Sequence, residues 1–180
     1  MTLKIQENVP LAPLTTFNIG GPARYFAELE SEQDITDAAS LAEEREVPLI
    51  ILSGGSNVLV PDEGLNAFVA IISLKDCKLN GNVLEAGSGC NLLSLIRYAA
   101  QAGLGGWEKL AGIPGTICGA IRGNAGAFGT EIKDLPFACF RHTVKSVVSK
   151  MVSSSSQIQR NDFRQYDALL FGQTFNKIFR

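Results

Sequence analysis

Pro48-Leu49-Ile50-Ile51-Leu52-Ser53-Gly54-Gly55-Ser56-Asn57-Val58-Leu59-Val60 is the stretch whose reading decides the fold. Its first part is a short apolar run of β-prone residues, as a buried strand requires. The run passes straight into glycine and small polar residues. Glycine lacks Cβ, so its backbone can take φ > 0 and approach another group closely. Successive N–H groups in such a turn can form a concave nest for phosphate oxygens. Ser56 and Asn57 add hydroxyl and amide donors. Two readings stay open, a pyrophosphate cradle or a tight turn without a ligand. The usual dinucleotide fingerprint is absent, because no Gly-x-Gly-x-x-Gly opens a helix here.

A second stretch adds weight to the cradle. Ala111-Gly112-Ile113-Pro114-Gly115-Thr116-Ile117-Cys118-Gly119-Ala120-Ile121-Arg122-Gly123-Asn124-Ala125-Gly126-Ala127-Phe128-Gly129 alternates glycine with small apolar residues. Too few large side chains are present for a core of its own. It is either a Gly/Ala-rich helix pressed on a sheet, or a loop that brings backbone against a flat, large ligand. Two such stretches separated by a strand–helix unit suit a ligand with phosphates at one end and an aromatic system at the other.

The motifs Thr15-Thr16-Phe17-Asn18-Ile19-Gly20-Gly21-Pro22-Ala23, Gly54-Gly55-Ser56-Asn57-Val58-Leu59-Val60, Ala111-Gly112-Ile113-Pro114-Gly115-Thr116 and Asn124-Ala125-Gly126-Ala127-Phe128-Gly129, followed by Glu131-Ile132-Lys133-Asp134, run in this order. Together they resemble the UDP-N-acetylenolpyruvoylglucosamine reductases (UDP-N-acetylmuramate dehydrogenases), over residues 8–134. The resemblance implies an α+β, two-lobed FAD-binding fold of the vanillyl-alcohol-oxidase type, with a β-α-β-β lobe and a larger mixed-sheet lobe with helices. It implies noncovalent FAD, NADPH as hydride donor and a small nucleotide-sugar substrate in peptidoglycan precursor synthesis. Carried onto this chain, it places Gly54, Gly55, Ser56 and Asn57 at the pyrophosphate, with Val58 and Leu59 also in the cofactor set. Gly112, Ile113, Pro114, Gly115 and Thr116 fall nearer the flavin and its ribityl chain, with Gly119, Asn124, Ala125 and Gly126 completing the cofactor set.

Composition narrows the alternatives. The chain has 180 residues, 46% of them hydrophobic, enough to bury a core. A formal charge of −2 gives no basic field for nucleic acid. The longest apolar runs, at 49–52 and 68–72, fall far short of the ~20 residues that span a bilayer, and residues 1–7 carry no signal-peptide apolar segment. The expectation is a soluble cytoplasmic protein with no membrane or nucleic-acid partner; oligomeric state stays open. Cys77, Cys90, Cys118 and Cys139 are widely spaced with one histidine, His142, so no metal site is expected. The cysteines read as reduced and structural, with Cys118 the one in the flavin-facing stretch. Trp107 reads as packing.

Local signals divide the chain. Residues 24–29 alternate as a half-buried strand, and Ser31 opens a Ser-x-x-Asp cap on a helix reaching about Glu46, stopped by Pro48. Strands follow at 49–52 and 68–72. Asn80-Gly81-Asn82 predicts a hairpin leading into 83–86. Asn91 caps a second helix with Leu92, Leu95, Ile96 and Ala99 on one face, and Gly103 ends it. The division expected is one lobe over 1–74, a second over 75–152 and a divergent tail over 153–180. A strand is expected at 144–152, a connector at 153–156 and a last strand at 170–175.

In the resembled family a Tyr-Arg pair orients substrate, a serine in a later domain donates a proton and a glutamate supports it. Here Phe163-Arg164-Gln165-Tyr166 holds both residue types in reverse order, and the serine and glutamate segments have no counterpart. The catalytic residues are therefore left unassigned, with Arg164, Tyr166 and Arg122 as candidates. Arg122 faces either a ligand anion or solvent. The two expectations are an FAD-dependent reductase, or an FAD-binding domain that holds cofactor without turnover. In both, this chain alone should be a poor reductase.

Overall fold

The computed structural model describes residues 3–135, 138–141 and 173–178. The first sheet holds β1 (Gln6–Pro10), β2 (Pro22–Leu29), β3 (Leu49–Leu52) and β4 (Leu65–Ile72) in the order β1-β2-β4-β3, with helix α1 (Glu32–Glu44) between β2 and β3. Both β2 and β3 run parallel to β4, while β1 is antiparallel to β2. The expected β-α-β-β unit is present with one strand added. β1 escaped the pattern because it is an edge strand, exposed along most of its length, with no apolar alternation to read.

β4 is central and buried on both faces. Phe68, Ala70 and Ile72 pack with Ile35, Ala38 and Ala42 of α1, whereas Ala67 and Val69 meet Leu11, Ala23, Phe26 and Leu52 on the other side. The period-2 alternation of a strand divides one segment between two cores. Between β3 and β4 the chain makes the glycine turn, which leaves from the carboxyl end of a parallel strand, where open sheets commonly place ligands.

The second sheet holds β5 (Cys77–Asn80), β6 (Val83–Ala86), β9 (Ala138–Arg141) and β10 (Gln173–Ile178) in the order β5-β6-β10-β9, antiparallel throughout. The mixed pairing therefore lies in the first sheet. Gly81, at φ +58°, makes the expected hairpin between β5 and β6. Helices α2 (Leu92–Gln101) and α3 (Ile117–Arg122) follow, then the small hairpin of β7 (Gly126–Ala127) and β8 (Thr130–Glu131). Leu84, Leu92, Leu95, Ile96, Trp107, Leu110, Ile117 and Ile121 form the core beneath them. Trp107 is packing, as expected.

Capping explains the helix boundaries. Ser31 accepts from the Asp34 N–H, and the Asp34 carboxylate accepts from the Ser31 N–H, a reciprocal box. The Asn91 side chain accepts from the Ser94 N–H, and Thr116 from the Gly119 N–H. All three helices end alike. After α1, the Glu46 N–H donates to Glu43 O and the Val47 N–H to Ala42 O; after α2, Gly103 donates to Ala100 and Leu104 to Ala99; after α3, Asn124 donates to Ile121 and Ala125 to Ala120. These are Schellman closures, whose pivot residue must be left-handed. The pivots Glu46, Gly103 and Asn124 have φ of +53°, +76° and +45°. α1 thus ends at Glu44 and is closed by Glu46, so Pro48, expected to stop it, is not what ends it.

The expected strand at 144–152 and connector at 153–156 lie outside the described residues. β10 overlaps the last strand expected from sequence.

Candidate functional site

The two glycine stretches meet. A Cβ on Gly54 would lie 2.8 Å from the Gly115 Cα, closer than side chains tolerate. The Ser53 and Thr116 hydroxyls share a 2.5 Å hydrogen bond, and a Cβ on Gly119 would strike Ser53 Oγ. Ser56 Oγ donates to Pro114 O at 3.5 Å, a weak contact by distance. The turn after β3 and the segment before α3 are thereby locked edge to edge.

Each stretch is braced from behind. Gly55, at φ +63°, is buried, and a Cβ there would strike Leu14 O. The Thr16 N–H donates to Gly55 O at 2.9 Å, and the Gly21 N–H to Pro61 O at 2.9 Å. Thr15, itself 6% exposed, donates through Oγ1 to Ala12 O and Ile19 O. The Thr-Thr-Phe-Asn-Ile-Gly-Gly-Pro motif is thus a brace for the glycine turn. The space beside Gly55 belongs to this brace, so its lack of a side chain serves protein contact first. On the other side, the Leu92 N–H donates to Gly115 O and the Ile117 N–H to Cys90 O, tying the second stretch to α2.

What remains facing outward suits an anion. Gly54, Asn57, Val58 and Leu59 are exposed. Among the described residues, the exposed N–H groups of Gly54, Asn57 and Leu59 donate no backbone hydrogen bond. Glycine-turn donors left unspent at the surface are what a phosphate cradle needs. Gly112 and Pro114 are exposed, and a Cβ on Gly112 would meet nothing within 4 Å. Phe17, Ile19, Val58 and Leu59 expose apolar surface beside the turn. These residues fit a dinucleotide cofactor at the level of donors and open backbone.

Other expected residues are used differently. Residues 117–122 form α3, so Gly119 is a helix residue chosen for its contact with Ser53. Asn124 is consumed internally: Nδ2 donates to Glu131 Oε2 at 2.7 Å, and Oδ1 accepts from the Lys133 N–H at 3.0 Å. The Ala125 N–H and O are spent on Ala120 and Ile132. A Cβ on Gly126 would meet Glu131 Cγ at 2.8 Å. Arg122 ends α3, half-buried; Arg164, Tyr166 and His142 lie outside the described residues. Ser53, which clasps Thr116, was missed in the sequence because it reads as the last residue before the turn.

A family model described as the FAD binding domain matches residues 23–143. The chain belongs to the FAD-binding domain family. Its curated relatives include a UDP-N-acetylenolpyruvoylglucosamine reductase from Caldicellulosiruptor bescii, 42% identical over 134 residues, which are 74% of this chain and 43% of that protein. A solved UDP-N-acetylenolpyruvylglucosamine reductase from Thermus caldophilus matches 78% of this chain and 49% of its own at 33% identity, with a TM-score of 0.63. 6-Hydroxy-D-nicotine oxidase from Arthrobacter nicotinovorans shares the fold at 12% identity and a TM-score of 0.67 over 100% of this chain and 43% of that one. The chain spans less than half the length of the curated relatives it matches.

Within this FAD-binding domain Cys77, Cys90 and Cys118 are reduced thiols in half-buried or buried positions. Burial pushes the Cys77 thiol up, and burial followed by the neighbouring Cys77 pushes Cys90 up to about 11. Cys90 Sγ donates to Asp76 O at 3.4 Å. Cys118 is buried in α3. Among the described residues, no group of three or more His, Cys, Asp or Glu is placed to hold a metal ion, and no helix is long and apolar enough to cross a membrane.

Proposed function

We propose that this chain is the FAD-holding part of a UDP-N-acetylenolpyruvoylglucosamine reductase, which takes hydride from NADPH and converts the enolpyruvyl sugar nucleotide to UDP-N-acetylmuramate. The setting is cytoplasmic peptidoglycan precursor synthesis, and through it cell shape and division. The observation that carries the reading is the direct contact of the two glycine stretches, Gly54 on Gly115 and Ser53 on Thr116. The 42% identity to a reductase of that name supports it. Bound noncovalently, FAD would supply hydride transfer to the enolpyruvyl double bond.

In this reading the lobes are residues 1–74 and 75–152, each contributing one glycine stretch, and the expected tail over 153–180 is no separate unit, because β10 (Gln173–Ile178) pairs with β6 and β9 in the second lobe's sheet. Gly54, Gly55, Ser56, Asn57, Val58 and Leu59 present backbone N–H and side-chain donors to the pyrophosphate. Gly112, Ile113, Pro114, Gly115 and Thr116 lie along the ribityl chain and flavin. Gly119, Asn124, Ala125 and Gly126 support that wall through α3 and its Schellman closure. Arg122, Arg164 and Tyr166 are the candidates for orienting the anionic substrate.

Gly112 gives the cleanest test, because a methyl there meets open space in the protein. Gly112→Ala should leave the melting temperature within about 2 °C and weaken FAD binding about tenfold, read by flavin titration. Unchanged FAD affinity would remove Gly112 from the cofactor wall. A wild-type chain that binds no flavin would remove the reading altogether.

A further inference from the structure

Phe128 and Gly129 form the two-residue connection between β7 and β8, and both are left-handed, at φ +51° and +77°. That is the pattern of a type I′ turn, which favours Asn-Gly or Asp-Gly because both central residues need positive φ. Phenylalanine is poorly suited to it, since its Cβ crowds the carbonyl oxygen there. The other left-handed residues that are not glycine have a local reason. Asn8, Asn18 and Asn124 are asparagines, which tolerate this region, and Glu46 closes α1. Phe128 has neither reason. The residue is also 82% exposed, so the strain is not offset by burial.

A strained backbone holding an apolar ring in water is a feature the fold does not need, and such strain concentrates at ligand sites. The ring stands at the edge of an open hollow of about 510 Å³ lined by residues 126–131, 133 and 134. That volume falls within the range of ~300–1,000 Å³ typical of small-molecule sites. Both strands of the hairpin pack on residues 108–110, which lead directly into the 112–116 stretch assigned to the flavin. An exposed aromatic face beside such a hollow suits a flat aromatic ligand, through offset or edge-to-face contact.

We infer that Phe128 is a contact residue for the isoalloxazine ring system of bound FAD, held in place at the expense of the hairpin's stability. The inference rests on the FAD reading above and adds to it a named ring contact. Two variants of the full chain test it. Phe128→Asn gives the turn its preferred pair and removes the ring. It should raise the melting temperature of the cofactor-free protein by about 2–4 °C while weakening FAD binding at least about tenfold. Phe128→Tyr keeps the ring and should bind FAD within about twofold of wild type, with dimmer bound-flavin emission, because a phenol in contact with flavin quenches it.

FAD affinity unchanged in Phe128→Asn, or emission unchanged in Phe128→Tyr, would overturn the ring contact and leave the FAD reading intact. A lower melting temperature for Phe128→Asn would overturn the strain argument and the inference with it. Failure of the wild-type chain to bind FAD would overturn the reading on which the inference stands.

Discussion

The turn after β3 and the segment before and through α3 look alike as glycine-rich text, yet they spend their glycines differently. In the first, Gly54 and Gly55 both sit where a side chain would hit protein, one against Gly115 and the other against Leu14. The turn is clamped on two sides, and its function is left to its outward N–H groups. In the second, Gly112 is open, Gly115 is left-handed at φ +112°, Gly119 lies within a helix and Gly126 packs on Glu131. One stretch is a rigid corner; the other is a wall assembled from a loop, a helix and a hairpin. A glycine next to a candidate ligand site is therefore no evidence that the ligand is what required it.

The sharpest way to break this contrast is at Gly55. Gly55→Val adds a branched side chain at φ +63°, directly against Leu14 O. The expected loss is about 3 kcal/mol or more of folding stability, measured by urea unfolding. Any loss of flavin in that variant would report the fold rather than the cradle. A variant as stable as wild type would show that the brace at Leu14 and Thr15 yields easily.

Thr116 tests the clasp between the stretches. Thr116→Val removes both the N-cap of α3 and the bond to Ser53, and should cost about 2 kcal/mol. In a double-mutant cycle with Ser53→Ala, a coupling of about 1 kcal/mol is expected from the shared bond. A coupling near zero would mean that backbone packing at Gly54 and Gly115 holds the stretches together without the hydroxyls.

The smallest effect is expected at Ser56, whose bond to Pro114 O is long and exposed. Ser56→Ala should change stability by less than about 0.5 kcal/mol and, under the proposed function, weaken FAD binding through the lost hydroxyl donor. A larger stability change would make Ser56 a second clasp, and so make the two stretches more alike.

Much of the fold was legible locally. The Ser31 box, the Asn91 cap, the Gly103 stop and the Gly81 hairpin are short-range chemistry, settled by residues three or four apart. The end of α1 near Glu46 was legible too, but not its cause: Pro48 was expected to stop it, whereas the left-handed Glu46 closes it onto Ala42 and Glu43, and glutamate carries no sequence signal for such a pivot. β1 was hidden for a similar reason, since an exposed edge strand draws its pairing from β2 rather than from its own pattern.

The sequence by itself determined the motif order, the strand leading into the glycine turn, most helix boundaries and the FAD-binding family. These depend on local propensity, capping and residue type, which act within a few positions along the chain. Only the tertiary structure decided what each glycine faces. Ser53 and Thr116 are 63 positions apart in sequence and 2.5 Å apart in space. Gly55 is pressed against a segment some forty residues earlier. Asn124 is turned inward onto Glu131 and Lys133. Backbone contact of this kind depends on how two sheets and their loops close on one another, and residue type alone carries no record of the partner.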